Sequence, residues 1–218
     1  MGTLLASVIP LALGAAVSPT VLTAQLLLLS RKEAPIKRSA VALLGSGLVL
    51  LGYTAIALLA GIGTNSASSP STVDGIVKLV FALLLLGLGV RAALKEPKAA
   101  SKTERPDGGT HLIRSFELGA AMMLVNFTTL ALYFPALHEI TASDVSSSDE
   151  LVAILVVFLI TMIPAYMPLL LTLLFGDRAR RALGRLNAFL GRHQQGITVG
   201  ICFLFAAYLG VSGLKILL

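Results

Sequence analysis

Apolar residues along this chain gather into long, nearly unbroken runs, a pattern to be measured against the roughly 20 residues that cross a bilayer. Six runs approach or exceed that length: Thr3 to Leu29, Ile36 to Ile62, Ile76 to Leu94, Phe116 to Leu137, Leu151 to Phe175 and Ile197 to Leu217. Each predicts a spanning helix, because a backbone surrounded by lipid must satisfy its own hydrogen bonds. Polar residues fall mainly between the runs, so the expected fold class is an all-α membrane protein with six transmembrane helices.

Composition strengthens that reading. Hydrophobic residues make up 56% of the 218 positions and charged residues 13%, about half the charged share of a soluble domain. Met1, Gly2 and Thr3 lack the positive start of a cleavable signal peptide, and the first run is too long for a signal core. The first run is therefore expected to stay as a spanning helix. Cys202 is the single cysteine, which excludes an internal disulfide and any multi-cysteine metal site.

The net charge of +6 acquires meaning from its location. Arg31, Lys32, Lys37 and Arg38 fill the first loop. Lys95, Lys98, Lys102 and Arg105, flanked by Arg91 and Arg114, fill the third, and Arg178, Arg180, Arg181, Arg185 and Arg192 the fifth. No Lys or Arg occurs between Ser39 and Val77 or between Ser115 and Asp177. Basic loops face the cytoplasm, so both termini of a six-span chain are expected on the outer side of the cytoplasmic membrane. That orientation suits 15 of the 17 basic residues, Lys78 and Lys215 being the exceptions. The charge is expected to meet anionic headgroups and not nucleic acid.

Residues 95–113 mix Lys, Glu, Pro, Asp and Gly and read as a cytoplasmic linker between repeat 1, residues 1–94, and repeat 2, residues 114–218. Leu13-Gly14-Ala15-Ala16 returns as Leu118-Gly119-Ala120-Ala121. Gly75-Ile76 and Leu88-Gly89-Val90 return at the same internal spacing as Gly196-Ile197 and Leu209-Gly210-Val211. Since each half has an odd number of spans, the expected architecture is a pair of inverted-topology three-helix repeats. In transporters such symmetry lets a central site open to either side in turn.

A substrate site is then expected where helices break near mid-bilayer. Ser18, Pro19, Thr20 and Gln25 on span one, Asn126, Thr128 and Tyr133 on span four, and Pro164, Tyr166 and Pro168 on span five are the substrate-binding candidates. The polar members, with Thr23 and Thr129 beside them, offer hydrogen bonds without charge, and each proline frees a carbonyl one turn earlier. Gly45, Gly47, Gly52, Gly87 and Gly89 are expected to serve close helix packing. Carboxylates and histidines are absent from the middles of the spans, which argues against a divalent-metal path. Glu117, just inside span four, is the proton-coupling candidate. No metal site or cofactor is expected, and no membrane-embedded catalytic pair points to an enzyme. An interfacial amphipathic helix is expected at about 177–193, with Leu183, Leu186 and Leu190 in the acyl boundary and arginines among phosphates.

The opening PLALGAAVSPTVL, the basic loop after span one, the Asn-centred cluster of span four and the proline-bearing fifth span running into an Arg-rich Leu/Phe helix resemble the Gap/Sap family of actinobacteria. These are sulfolipid-addressing or glycopeptidolipid-export membrane proteins, similar in turn to the LysE superfamily of six-span exporters. The resemblance implies export of a lipid, glycolipid or other amphiphile, with a larger lipid transporter or a second copy of the chain as partner. It leaves two alternatives open: a LysE-type exporter of an amino acid or small polar metabolite, and a non-transporting membrane partner of a lipid-export complex. Where relatives carry an Asn-Pro pair in span four, this chain has Asn126-Phe127, so whether that span breaks is a question for the structure.

Overall fold

A computed structural model describes residues 2–31, 33–61, 72–94 and 111–217; of the linker expected at 95–113, only 111–113 fall among them. The described chain is helical throughout, with no strand. The helices are α1 (Gly2–Ala16), α2 (Pro19–Leu29), α3 (Pro35–Gly61), α4 (Thr72–Leu94), α5 (His111–Leu124), α6 (Phe127–Thr141), α7 (Ser147–Thr161), α8 (Ile163–Phe175) and α9 (Asp177–Leu217).

Three of these, α3, α4 and α9, are each long and apolar enough to cross a membrane. The pairs α1–α2, α5–α6 and α7–α8 meet the same test together but bend by 52°, 68° and 66°. Among the described residues there are thus three candidate spans, or up to six if each bent pair counts as one, as fits a multi-pass membrane protein. The bent pairs correspond to spans one, four and five of the sequence. Span four therefore breaks although no proline follows Asn126.

Small residues decide how closely the helices approach. On α3, a side chain at Gly45 would run into the Phe116 carbonyl, and on α5 one at Gly119 would run into the Ala42 carbonyl. The two backbones touch, and Ser46 Oγ donates to the Gly119 carbonyl at 2.9 Å. The pairing of α4 with α9 uses the same device at Gly89, whose Cβ would lie 3.0 Å from Cys202 Cβ. Gly47 sits at an ordinary packing distance from Met162, while Gly52 and Gly87 face open space. The close-packing expectation therefore holds at Gly45 and Gly89 and is corrected at Gly52 and Gly87.

The main core runs through α1, α6 and α7 to α9, with Val8, Leu11, Leu132, Tyr133, Leu137, Ile140 and Val157 fully buried. Leucines such as Leu44, Leu59, Leu83, Leu174 and Leu204 are more than 60% exposed, as befits side chains meant for lipid. Lys78 on α4 pairs with Glu139 on α6 at 3.4 Å, which accounts for one of the two cations outside the basic loops.

The region expected as a separate interfacial helix is continuous with the last span. Gly176 turns the chain at φ +52°, after which α9 runs for 41 residues without a proline. At about 1.5 Å per residue that is twice the hydrocarbon thickness, so its first turns form an arm preceding the span. Leu183 is not offered to lipid: it is buried with Leu26 and Ala179, against Leu22 and Leu171.

Candidate functional site

In an uninterrupted helix the amide of residue 19 would bond the carbonyl of residue 15. Pro19 has no amide hydrogen, so α1 stops at Ala16 and the Ala15 carbonyl is left without its helical partner. The structure supplies one from the other half of the chain: Thr129 Oγ1 donates to the Ala15 carbonyl at 2.8 Å. Pro19 then opens α2 from its first position, where a missing amide costs nothing. Ser18 caps the new helix, its Oγ accepting from the Val21 amide at 3.4 Å.

Asn126 performs the same task on span four. Its Oδ1 accepts from the Thr129 amide at 3.3 Å and so caps α6. Its Nδ2 donates to Ser18 Oγ at 2.7 Å, joining the two caps across 108 residues of sequence. An Asn side chain can start a helix by capping alone, which explains a break without the Asn-Pro pair.

Two helices therefore begin at one uncharged junction. First-turn amides lack intrahelical acceptors, and a helix N-terminus carries partial positive charge. The junction is polar without a formal cation, and the caps take the Val21 and Thr129 amides. Ser18 and Pro19 are buried, Asn126 and Thr128 half-buried and Thr20 exposed. Thr20 Oγ1 lies 3.5 Å from Gln194 Nε2.

The remaining candidates stand elsewhere. Gln25 lies about two turns along α2, buried, with Oε1 accepting from Ser39 Oγ at 2.6 Å. That bond ties α2 to α3. Tyr133 is fully buried, and its hydroxyl and that of Thr54 are 2.7 Å apart. Both side chains are engaged in the packed interior.

Pro164, Tyr166 and Pro168 belong to the third break, where α8 starts after Met162 with no side-chain cap. Pro168 is buried, Pro164 and Tyr166 half-buried, and α8 packs on α2 and α3. Among the described residues no hydrogen bond joins them to Ser18 or Asn126. Thr161, at the end of α7, is the one buried side-chain hydroxyl without a hydrogen-bond partner among the described residues. Glu117 is exposed on α5.

From the sequence Thr129 is one of the uncharged hydrogen-bonding groups of span four, but not the partner of the Ala15 carbonyl. The signal was present in Pro19 itself: a proline one turn after Ala15 demands an outside donor, and Thr128 and Thr129 follow Asn126 in span four. Ser39, Thr54 and Asn187 left no such trace, because their partners lie on other helices.

A family model described as Sap, sulfolipid-1-addressing protein, matches residues 8–215. Comparison with curated proteins and with solved structures gives no match. The chain belongs to the sulfolipid-1-addressing protein family.

Proposed function

We propose that this member of the sulfolipid-1-addressing family is an exporter that moves a lipid, glycolipid or other amphiphile across the cytoplasmic membrane, with both termini on the outer side. The observation that carries the reading is the Ser18–Asn126 junction, where α2 and α6 begin and cap one another's break. Interrupted helices meeting at one uncharged polar point are the form in which transporters bind substrate within a bilayer.

The pairing of elements supports two inverted repeats. In halves of opposite orientation, the outer segment of one broken span shares a leaflet with the outer segment of the other. That arrangement puts α1 beside α6 and α2 beside α5, and both pairs are in contact. The closing spans of the two halves, α4 and α9, also pack together. Rocking of α2 with α5, then of α1 with α6, would expose the junction first inward and then outward. Donors at the junction would hold the oxygen-rich headgroup while the acyl chains stay against the lipid-facing leucines. A metal ion has no carboxylate there to bind, and the reading assigns transport without a catalytic step.

Leaflet-resolved lipid extraction tests this in cells carrying wild-type protein or the Asn126→Ala variant. Loss of the outer-leaflet amphiphile at unchanged protein abundance is the expected result. Unchanged export by the variant would favour a non-transporting partner of a larger complex.

A further inference from the structure

The arm of α9 has three faces. Ala179, Leu183 and Asn187 recur every four residues and turn toward the protein: Ala179 and Leu183 are buried with Leu26, and Thr23 Oγ1 donates to Asn187 Oδ1 at 2.8 Å. Arg178, Arg181, Arg185 and Arg192, all exposed, fall within about 60° of one another on the helical wheel, on the side opposite that seam. Between them and the seam lie Leu186, 44% exposed, and Phe189, 56% exposed. Phe189 stacks on His193 at 4.5 Å between ring centres. No Asp or Glu occurs anywhere after Asp177, so the arginine line has no acidic neighbour on its own helix.

A cationic line beside exposed Leu and Phe suits a helix passing through a lipid interface as it leaves the span, with guanidinium groups on phosphates and the ring at the acyl boundary. Packing against the protein occupies a different face, so the arm can engage both at once. We propose that this arm is a dock for anionic lipid headgroups of the adjoining leaflet, seated on the back of the half-helix α2. Leu183 on Leu22 and Leu26, together with the Thr23–Asn187 bond, joins the docked arm to the helix that begins at Ser18. Lipid binding by the arm is independent of whether the junction transports.

The chain contains no tryptophan, so Phe189→Trp creates a single reporter of the arm's depth. The full-length variant is reconstituted into phosphatidylcholine vesicles with and without about one-third phosphatidylglycerol, and indole emission and quenching by brominated acyl chains are read. The expected result is a blue shift and stronger quenching only with phosphatidylglycerol, both reduced by high salt and not produced by soluble glycerol phosphate. Replacing Arg181, Arg185 and Arg192 with Gln should weaken docking by roughly fivefold per arginine, whereas Lys at the same positions should retain most of it. The salt series on the otherwise unaltered protein gives the answer even if the Gln variant fails to fold. Equal emission and quenching in both vesicle types, or no salt effect, would overturn the proposal.

Discussion

Thr129→Val tests whether a hydroxyl from one half of the chain replaces the amide that Pro19 denies to the other. The substitution keeps the side-chain shape and removes the donor to the Ala15 carbonyl. Ala15 is 1% exposed and Thr129 3% exposed, so water has no access to the orphaned oxygen. An unsatisfied buried group costs about 1–3 kcal/mol in soluble proteins, and interhelical hydrogen bonds in membranes average nearer 0.6 with a maximum of about 1.7. The expected loss is therefore about 1–2 kcal/mol. The decisive step is to repeat the substitution in a Pro19→Ala background, where residue 19 regains an amide able to bond Ala15. Equilibrium unfolding in mixed micelles, followed by helicity, should then show a coupling of about 1 kcal/mol between the two positions. A neutral Thr129→Val, or a cost undiminished by Pro19→Ala, would show that the Thr129 hydroxyl does not stand in for the missing amide.

Other positions give sharper contrasts. Gly119→Leu should prevent folding, because a side chain there meets the Ala42 carbonyl, whereas Gly87→Ala, facing open space, should be neutral or stabilise by about 0.5–1 kcal/mol; thermal unfolding in detergent separates them. Tyr133→Phe removes a buried hydroxyl from Thr54, which keeps its own bond to the Leu50 carbonyl. It should lower stability by about 1 kcal/mol and leave lipid export, measured by leaflet extraction, much less affected than Asn126→Ala does. Glu139→Gln leaves Lys78, with its side chain 13% exposed, without its anion. The loss should fall between the small value of an exposed pair and the several kcal/mol of a buried one, about 1–3 kcal/mol, and Lys78→Met in the same background should restore part of it.

The six apolar runs made the spans legible because burial in lipid demands length and apolarity, two properties that a linear sequence displays directly. Pro19 announced the first break and Pro164 the third. Asn126 was readable only as a polar interruption; that its side chain would cap a helix and reach Ser18 depends on a partner 108 residues away. Gln25 and Tyr133 shared the polarity of the site candidates, yet their partners Ser39 and Thr54 turned them into interior ties. Leu183 illustrates the same limit. Its helical spacing with Leu186 and Leu190 marks an apolar face, but only α2 and α8 decide that this leucine meets protein instead of lipid.

A Ser18–Asn126 junction that carries an amphiphile between leaflets should move lipid in a purified system. Purified protein in vesicles loaded asymmetrically with a headgroup-labelled glycolipid measures this directly, since alternating access equilibrates the leaflets even without an energy source. Equilibration should be faster with wild-type protein than in protein-free vesicles, and should return to the protein-free rate with Asn126→Ala at unchanged helicity. Equal rates for wild type and protein-free vesicles, or full activity of Asn126→Ala, would contradict transport at that junction.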